Sequence, residues 1–489
     1  MVRRTTGPSS PPQEVRKADP KAYGRETAFT CAALALFTPL PSALLAESRR
    51  PPNIVFILAD DLGYGDLGCY GQKRIKTPHI DRMGAEGMRF TQCYAGSTVC
   101  APSRCSLMTG LHTGHSTIRG NNPVPLRPED VTVARVLQSA GYRTGAIGKW
   151  DGGREGTTGI PNRQGFDYFF GYLGQVPAHN YYPDFLWRNQ DKVRIAGNVV
   201  EHGVASKRAQ YSQDLLTQEA VAFLERERGK PFFLYLAYTI PHANNERGQI
   251  DGNGMEVPDD KPYSSQPWPQ PQKNHAAMIT RLDADVGRVL AKIKELDLEE
   301  TTVVFFSSDN GPHKEGGADP SFFQSAGPLR GHKRDLYEGG IRIPMIARWP
   351  GKIKPGVVSD HVWAFWDFLP TATEIAGRTA PAGLDGISVV PTLLGTGMQR
   401  QHDFLYWEFH ERGQQQAVRK GDWKAIRKEP GGPLELYDLK KDIGETTDVA
   451  SFHRDVVALI DAYLVNARTE SKNWPIRPMG KQKRRGTIP

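Results

Sequence analysis

Short apolar runs alternate with longer segments of helical periodicity through most of the chain. Asn53-Ile54-Val55-Phe56-Ile57-Leu58-Ala59, 232–238 and 302–307 are the apolar runs, and 143–148 reads as a further strand. Runs of this length without polar alternation are predicted as strands buried on both faces of a parallel sheet. Helical periodicity is predicted over 131–140, ending at Gly141, over 215–227, and over about 276–296. Strand and helix in alternation imply an α/β fold, a large mixed and mostly parallel sheet sandwiched by helices. After Gly395 the pattern changes to short strand candidates at 405–408, 417–419, 423–426 and 434–437, with a closing helix at 456–466. That is a small antiparallel meander plus helix.

Polar residues are placed unevenly on this scaffold. Asp60 and Asp61, Lys149, His242, and Asp309 with Asn310 all fall just past the C-terminal ends of predicted strands. In open α/β sheets that edge is where ligand sites assemble. Carboxylates, an amide, an ammonium and an imidazole on one rim suit a metal-assisted site for an anionic ester. Asp60, Asp61, Asp309 and Asn310 offer only oxygen donors, which favours a hard cation such as calcium or magnesium over zinc.

The stretch Cys100-Ala101-Pro102-Ser103-Arg104-Cys105-Ser106-Leu107-Met108-Thr109-Gly110 supplies the candidate nucleophile. Pro102 followed by good helix formers predicts a helix start, with Pro in the first turn where its missing N–H costs nothing. Cys100 then sits at the positive end of the helix, where an anion is favoured, and Arg104 lies one turn on. The stretch resembles the signature of the formylglycine-dependent (type I) sulfatases, C-x-P-S-R-x-x-x-[LM]-T-G, at every specified position.

The resemblance covers residues 53 to about 466 and implies an alkaline-phosphatase-like fold. It implies that Cys100 is oxidised to formylglycine by a formylglycine-generating enzyme. The hydrate of that aldehyde attacks a sulfate monoester, giving a covalent sulfo-enzyme intermediate that is resolved by elimination. It implies one calcium ion at Asp60, Asp61, Asp309 and Asn310, with the modified Cys100 among the metal residues. Arg104, Lys149 and Lys333 are then the fixed positive charges around sulfate. Lys333 lies in Gly331-His332-Lys333-Arg334-Asp335-Leu336-Tyr337-Glu338-Gly339-Gly340, similar to the family's G-x-K-x-x-x-Y-E-G-G, with Arg334 and His332 as close alternatives. His242 matches the family histidine that binds sulfate and serves the leaving alcohol. His313 and His115 are further candidates for contact with substrate. His112 is a neighbour of His115 in the same polar loop, and His179, Tyr181 and Tyr182 form an aromatic loop suited to stacking on sugar faces.

There is one departure. The family reads G-K-W-H-x-G where this chain has Gly148-Lys149-Trp150-Asp151-Gly152-Gly153. Asp151 either replaces the missing histidine as a base or turns outward to bind a sugar hydroxyl.

Composition adds the setting. The net charge is +8, with basic clusters in the first forty-odd residues and at 481–485, the latter read as a solvated tail with no nucleic-acid partner. The five cysteines, Cys31, Cys69, Cys93, Cys100 and Cys105, match neither a zinc site nor a disulfide framework. Cys105 is expected to pack in the helix rather than pair with Cys100. The apolar run 28–46 is read as a secretory signal, with a membrane anchor as the alternative. The expected organisation is a leader at 1–48, a catalytic α/β domain at 49–395 and a C-terminal subdomain at 396–489. The expected protein is secreted or periplasmic, without stable membrane association. The expected activity is hydrolysis of sulfate monoesters, with sulfated carbohydrate fragments or a sulfated small molecule as substrate. The alternatives are a phosphonate monoester or phosphodiester hydrolase of the same superfamily, and an inactive binder of sulfated glycans.

Overall fold

The strand Asn53–Ala59 lies near the middle of an eleven-stranded sheet, and all seven of its residues are buried. The structure, a computed structural model, describes residues 50–477. The expected leader and signal at 1–48, Cys31 and the basic cluster at 481–485 lie outside the described residues. Thr302–Ser308 and Phe232–Ala237 flank the central strand, both parallel to it. Arg143–Lys149 and Tyr168–Tyr172 continue the parallel set on the Phe232–Ala237 side.

The unbroken apolar run has a direct packing cause. Val55 and Ile57 face one layer, with Leu234, Leu236, Phe223, Ile279 and Val286, under the helices Ser212–Glu227 and Gln270–Glu295. Ile54, Phe56 and Leu58 face the other layer, where Phe56 meets Phe368 edge-on at 4.6 Å between ring centroids. Both faces are covered, so polar alternation would place a polar side chain in one core or the other. Cutting Phe56 to Ala would cost about 3–5 kcal/mol.

Register decides where the site lies. Ala59 pairs with Ser308, Leu58 with Ala237 and Gly148 with Ala237. The four strands therefore end level, and the residues that follow them emerge on one rim. Gly148 adopts φ +111°, and a Cβ there would sit 1.8 Å from the carbonyl oxygen of Ala237. Only glycine fits between the strands at the position that delivers Lys149.

Two of the strands absent from the sequence expectation extend the sheet on the other side of the centre. Arg342–Arg348 pairs antiparallel with Thr302–Ser308, and Met88–Tyr94 pairs antiparallel with Arg342–Arg348. Pro344 interrupts the first and is accommodated by a register shift between Ile343 and Met345. The predicted helices are present with moved boundaries, Val133–Ser139, Ser212–Glu227 and Gln270–Glu295. Among the described residues no helix is long and apolar enough to cross a membrane.

The C-terminal segment forms a separate four-stranded antiparallel sheet of Leu405–Phe409, Gln415–Lys420, Trp423–Arg427 and Leu434–Asp438. Tyr406, Val418 and Leu436 pack under the helix Arg454–Leu464, while Leu405, Trp407 and Ala417 pack against Tyr94 and Trp366. The strand period of two separates these faces cleanly.

Candidate active site

Cys100 opens the helix Cys100–Thr109, following Val99 in extended backbone. Gly110 closes the helix in the left-handed conformation, its N–H donating to the carbonyl of Ser106. Asn121 Oδ1 accepts from the Ala101 N–H at 3.2 Å, satisfying one of the free donors at the helix start, and Gln175 Nε2 holds that amide at 2.7 Å. Cys100 Sγ lies 3.3 Å from Asp60 Oδ1. Burial, reinforced by Asp309 and Asp60, pushes the Cys100 thiol well above its ordinary range. The unmodified side chain is therefore held as a thiol, a poor nucleophile. Cys105, in the same helix, is buried in the core, and Cys69, Cys93, Cys100 and Cys105 are all free.

Asp60, Asp61, Asp309 and Asn310 come together at the level strand ends, each at most 1 % exposed. Asp309 Oδ1 accepts from the Asp61 N–H at 3.1 Å, and Asn310 Nδ2 donates to Asp61 Oδ1 at 2.7 Å. Asn310 Oδ1 is buried without a hydrogen-bond partner among the described residues. One donor atom from each of Asp60, Asp61, Cys100 and His242 lies within 4.8 Å of the others. Three buried carboxylates and an unpartnered amide oxygen form an all-oxygen set that fits a hard divalent cation. Burial would raise the Asp60 carboxyl, but Lys149 and Arg104 outweigh it and hold the group well below the usual range. Burial and Asp60 push Asp309 up to about 7, against the pull of Arg104.

Positive charge surrounds these acids. Arg104 reaches Asp309 Oδ2 through Nε at 2.9 Å and donates to the Lys149 carbonyl at 2.7 Å. Lys149 Nζ lies 2.8 Å from Asp60 Oδ2. Lys333 Nζ lies 2.8 Å from Asp61 Oδ2, 3.0 Å from His242 Nε2 and 3.2 Å from Glu315. Of the three basic candidates in that motif, the structure brings Lys333 to the site. Arg334 pairs with Glu315 and Glu411, and His332 with Asp335. Glu338 of the same motif is buried against Tyr94 at 2.6 Å and Lys424 at 2.9 Å, which ties the Lys333 loop to the C-terminal sheet.

Asp151 adopts a left-handed backbone, φ 67°, and its side chain is fully buried. Its carboxylate lies 3.4 Å from Lys149 Nζ and 3.8 Å from Arg104 Nε. Neither oxygen has a hydrogen-bond partner among the described residues. The outward orientation is thereby corrected: two buried cations draw the carboxylate in, away from solvent.

The sulfatase family model matches residues 52–378, and the model for the C-terminal region of N-sulphoglucosamine sulphohydrolase matches 331–469. The chain belongs to the type I sulfatases. Human arylsulfatase A is 35 % identical over 81 % of this chain and 83 % of its own length. The N-acetylgalactosamine-6-O-sulfatase of Bacteroides thetaiotaomicron is 28 % identical over 86 % of this chain and 94 % of its own. A solved structure, Ps i-CgsB in complex with k-i-k-neocarrahexaose, superposes with a TM-score of 0.74 at 28 % identity, covering 88 % of this chain and 95 % of that one. This sulfatase is accordingly a hydrolase of sulfuric esters in the alkaline phosphatase superfamily.

In this sulfatase His242 sits at the rim as expected. Its Nδ1 donates to the Ala243 carbonyl at 2.7 Å, leaving Nε2 as the acceptor facing Lys333. Burial and then Lys333 hold its pKa well below the ordinary histidine range, so the ring is neutral. His313 stacks 6.0 Å from His242, but its Nε2 donates to the Pro241 carbonyl and its Nδ1 accepts from the Glu315 N–H. Both nitrogens are committed to backbone, so His313 buttresses the rim and has no free polar atom for substrate. His115 is not brought to the rim. It lies past the C-terminal end of the nucleophile helix, paired with Asp385 at 2.9 Å and stacked on His112. A ten-residue helix carries the chain about 15 Å from Cys100 before that loop begins.

Sequence reasoning missed Glu315, Asn121 and the His179–Glu246 pair, whose imidazole stacks on His242 at 4.8 Å. For Glu315 the signal was its place five residues after Asn310 in a loop rich in glycine. Neither Asn121 nor Glu246 carries a local signal.

Proposed function

We propose that this sulfatase acts through an aldehyde formed from Cys100 by a formylglycine-generating enzyme, on sulfate monoesters of carbohydrate fragments. The hydrate of that aldehyde supplies an attacking oxygen, with a second hydroxyl through which sulfate can leave by elimination. A calcium ion, for which Asp60, Asp61, Asp309 and Asn310 are the candidate ligands, would supply Lewis-acid charge at the sulfate oxygens.

The remaining work falls to side chains already in place. Arg104 and Lys149 present fixed positive charge beside position 100, in a buried setting where charge counts for more than in water. Asp151 shares Lys149 with Asp60, whose other oxygen meets Cys100, and its free carboxylate is the candidate base for the hydroxyl at position 100. Lys333 and His242 form a proton-bearing pair for the leaving alcohol. Glu315 supports it: although burial opposes ionisation, Lys333 draws the Glu315 carboxyl down to about 2.

The observation that carries this reading is the convergence of Asp60, Cys100, Lys149, His242, Asp309 and Lys333 on one buried rim. The carbohydrate preference draws on the relatives named for N-acetylgalactosamine 6-O-sulfate hydrolysis and for a bound neocarrahexaose. We assign the catalytic unit to 49–395 and the C-terminal subdomain to 396–489, in a secreted or periplasmic protein.

The test is release of inorganic sulfate against inorganic phosphate by protein co-expressed with a formylglycine-generating enzyme. Substrates would be sulfated sugars, 4-nitrocatechol sulfate and phosphodiesters. Sulfate release abolished by Cys100→Ala supports the reading, whereas turnover of phosphodiesters alone transfers the chain to the sister hydrolases.

A further inference from the structure

Beside the buried Asp151 the molecule opens into a cavity of about 160 Å³, lined by Ala101, Asn121, Asp151 and Gly153 among others. Arg154, Leu173, Gly174, Gln175 and Val176 line this cavity and also a second one of about 630 Å³. The two cavities thus adjoin along these five residues, and the smaller one reaches Ala101, the residue next to Cys100. The hairpin of Phe185–Arg188 and Asp191–Arg194 lines the larger cavity through Phe185, Trp187 and Lys192. Phe185 and Trp187 meet edge-on at 5.9 Å, and Lys192 Nζ lies 4.8 Å from the Trp187 ring centre.

The chemistry of the walls selects an occupant. A volume of this size holds a small polar ligand of a few rings. Aromatic surface beside Asn180, Asp184 and Glu155 presents apolar faces and hydrogen-bonding groups together, which is what a pyranose offers in return. Four charged side chains, Arg154, Glu155, Asp184 and Lys192, add ionic anchoring points to the apolar part of the lining. Lys192 is paired with Glu155 at 3.1 Å. Arg154, which lines both cavities, forms no ion pair with any described residue, which suits a second anionic group on the ligand.

We propose that the two adjoining cavities form a subsite for the sugar unit linked to the sulfated one, with Arg154 contacting a second sulfate or carboxylate and the Phe185–Trp187 hairpin holding the ring. This rests on the carbohydrate reading above and deepens it: the enzyme recognises a sulfated oligosaccharide, not an isolated sulfate ester.

The experiment compares kcat/KM for sulfated mono-, di- and tetrasaccharides of the chondroitin and carrageenan series with that for 4-nitrocatechol sulfate. The longer sugars are expected to exceed the monosaccharide by roughly tenfold or more. Trp187→Ala removes the platform, and because Trp187 also packs in the core, Val176→Trp is the second variant. Val176 lines both cavities and is 58 % exposed, so a large side chain there fills space in both without disturbing the interior. Each variant is expected to bring the ratio of long to short substrate close to one, and Arg154→Ala to do so only for doubly anionic sugars. A wild-type ratio near one in every series, or a ratio unmoved by Val176→Trp, overturns the subsite. Turnover of 4-nitrocatechol sulfate with no sugar bound or cleaved overturns it too, and leaves the sulfatase reading standing. If no ester is turned over, calorimetry on Cys100→Ala protein with the tetrasaccharides decides. Binding weakened at least about tenfold by Val176→Trp sustains the subsite, and no binding removes it.

Discussion

Lys333 donates from Nζ to Nε2 of His242 across 3.0 Å, and the same ammonium also meets Asp61 and Glu315. One cation thus joins the metal-type acids to the imidazole proposed for the leaving alcohol. Lys333→Ala is expected to lower kcat/KM by about 10²–10³, and Glu315→Gln by roughly tenfold, since the neutral amide still accepts a hydrogen bond. Steady-state kinetics on 4-nitrocatechol sulfate checks both, and a loss under about threefold for Lys333→Ala would remove Lys333 from the reaction.

Asp151 offers a second, separable test. Its carboxylate is buried between Lys149 and Arg104 with both oxygens unpartnered. Asp151→Asn keeps the shape and removes the basicity, so kcat should fall about 100-fold with little change in KM. Asp151→His restores a base and should recover part of the rate. An Asp151→Asn enzyme with wild-type kcat would make the carboxylate a charge-balancing group only.

The oxygen set at the strand ends predicts metal dependence with a readout other than turnover. Calcium added to chelator-treated protein at a hundred times its Kd should stabilise the fold by about 2.7 kcal/mol, seen as a higher thermal midpoint. Asn310→Ala removes the unpartnered amide oxygen and should shift the calcium titration to higher concentration. A midpoint indifferent to calcium up to millimolar would count against a cation at these residues.

Acid stability has its own handle at Glu408. This buried carboxylate accepts from Arg468 at 2.8 Å, His410 at 2.9 Å and Arg119 at 3.1 Å. Burial opposes ionisation, but those partners bring its pKa down to about 2 from the ordinary 4.5. A depressed carboxyl contributes stability that is whole above pH 4.5 and lost as pH falls toward 2. The contribution is on the order of 3 kcal/mol. Glu408→Gln should therefore destabilise the protein at pH 7 in urea melts, with the difference from wild type shrinking below pH 4.5. A constant difference across that range would place the effect in packing alone.

The legible parts of the molecule are those whose physics is local. Asn53–Ala59, Phe232–Ala237 and Thr302–Ser308 are buried on both faces, so their sequences announce them, and the polar residues at their ends follow. Met88–Tyr94 carries Arg89, Thr91 and Gln92, and Arg342–Arg348 contains a proline, so neither shows such a run. Glu315 and Asn121 reach the rim on loops whose paths are set by tertiary contacts. His115 shows the opposite failure. Its nearness in sequence to the nucleophile implied nearness in space, but a helix and a left-handed glycine turn carry it to Asp385. His313 lies close to Asn310 in both senses, yet backbone groups had already claimed its nitrogens.

The most direct measurement is turnover as a function of the fraction of Cys100 present as aldehyde. Mass spectrometry of the peptide containing Cys100 would give that fraction across preparations made with graded amounts of formylglycine-generating enzyme. Sulfate release is expected to be proportional to the aldehyde fraction, passing through zero where none is formed and absent in Cys100→Ala. Sulfate release that persists at zero conversion, or that does not rise with the aldehyde fraction, would contradict it.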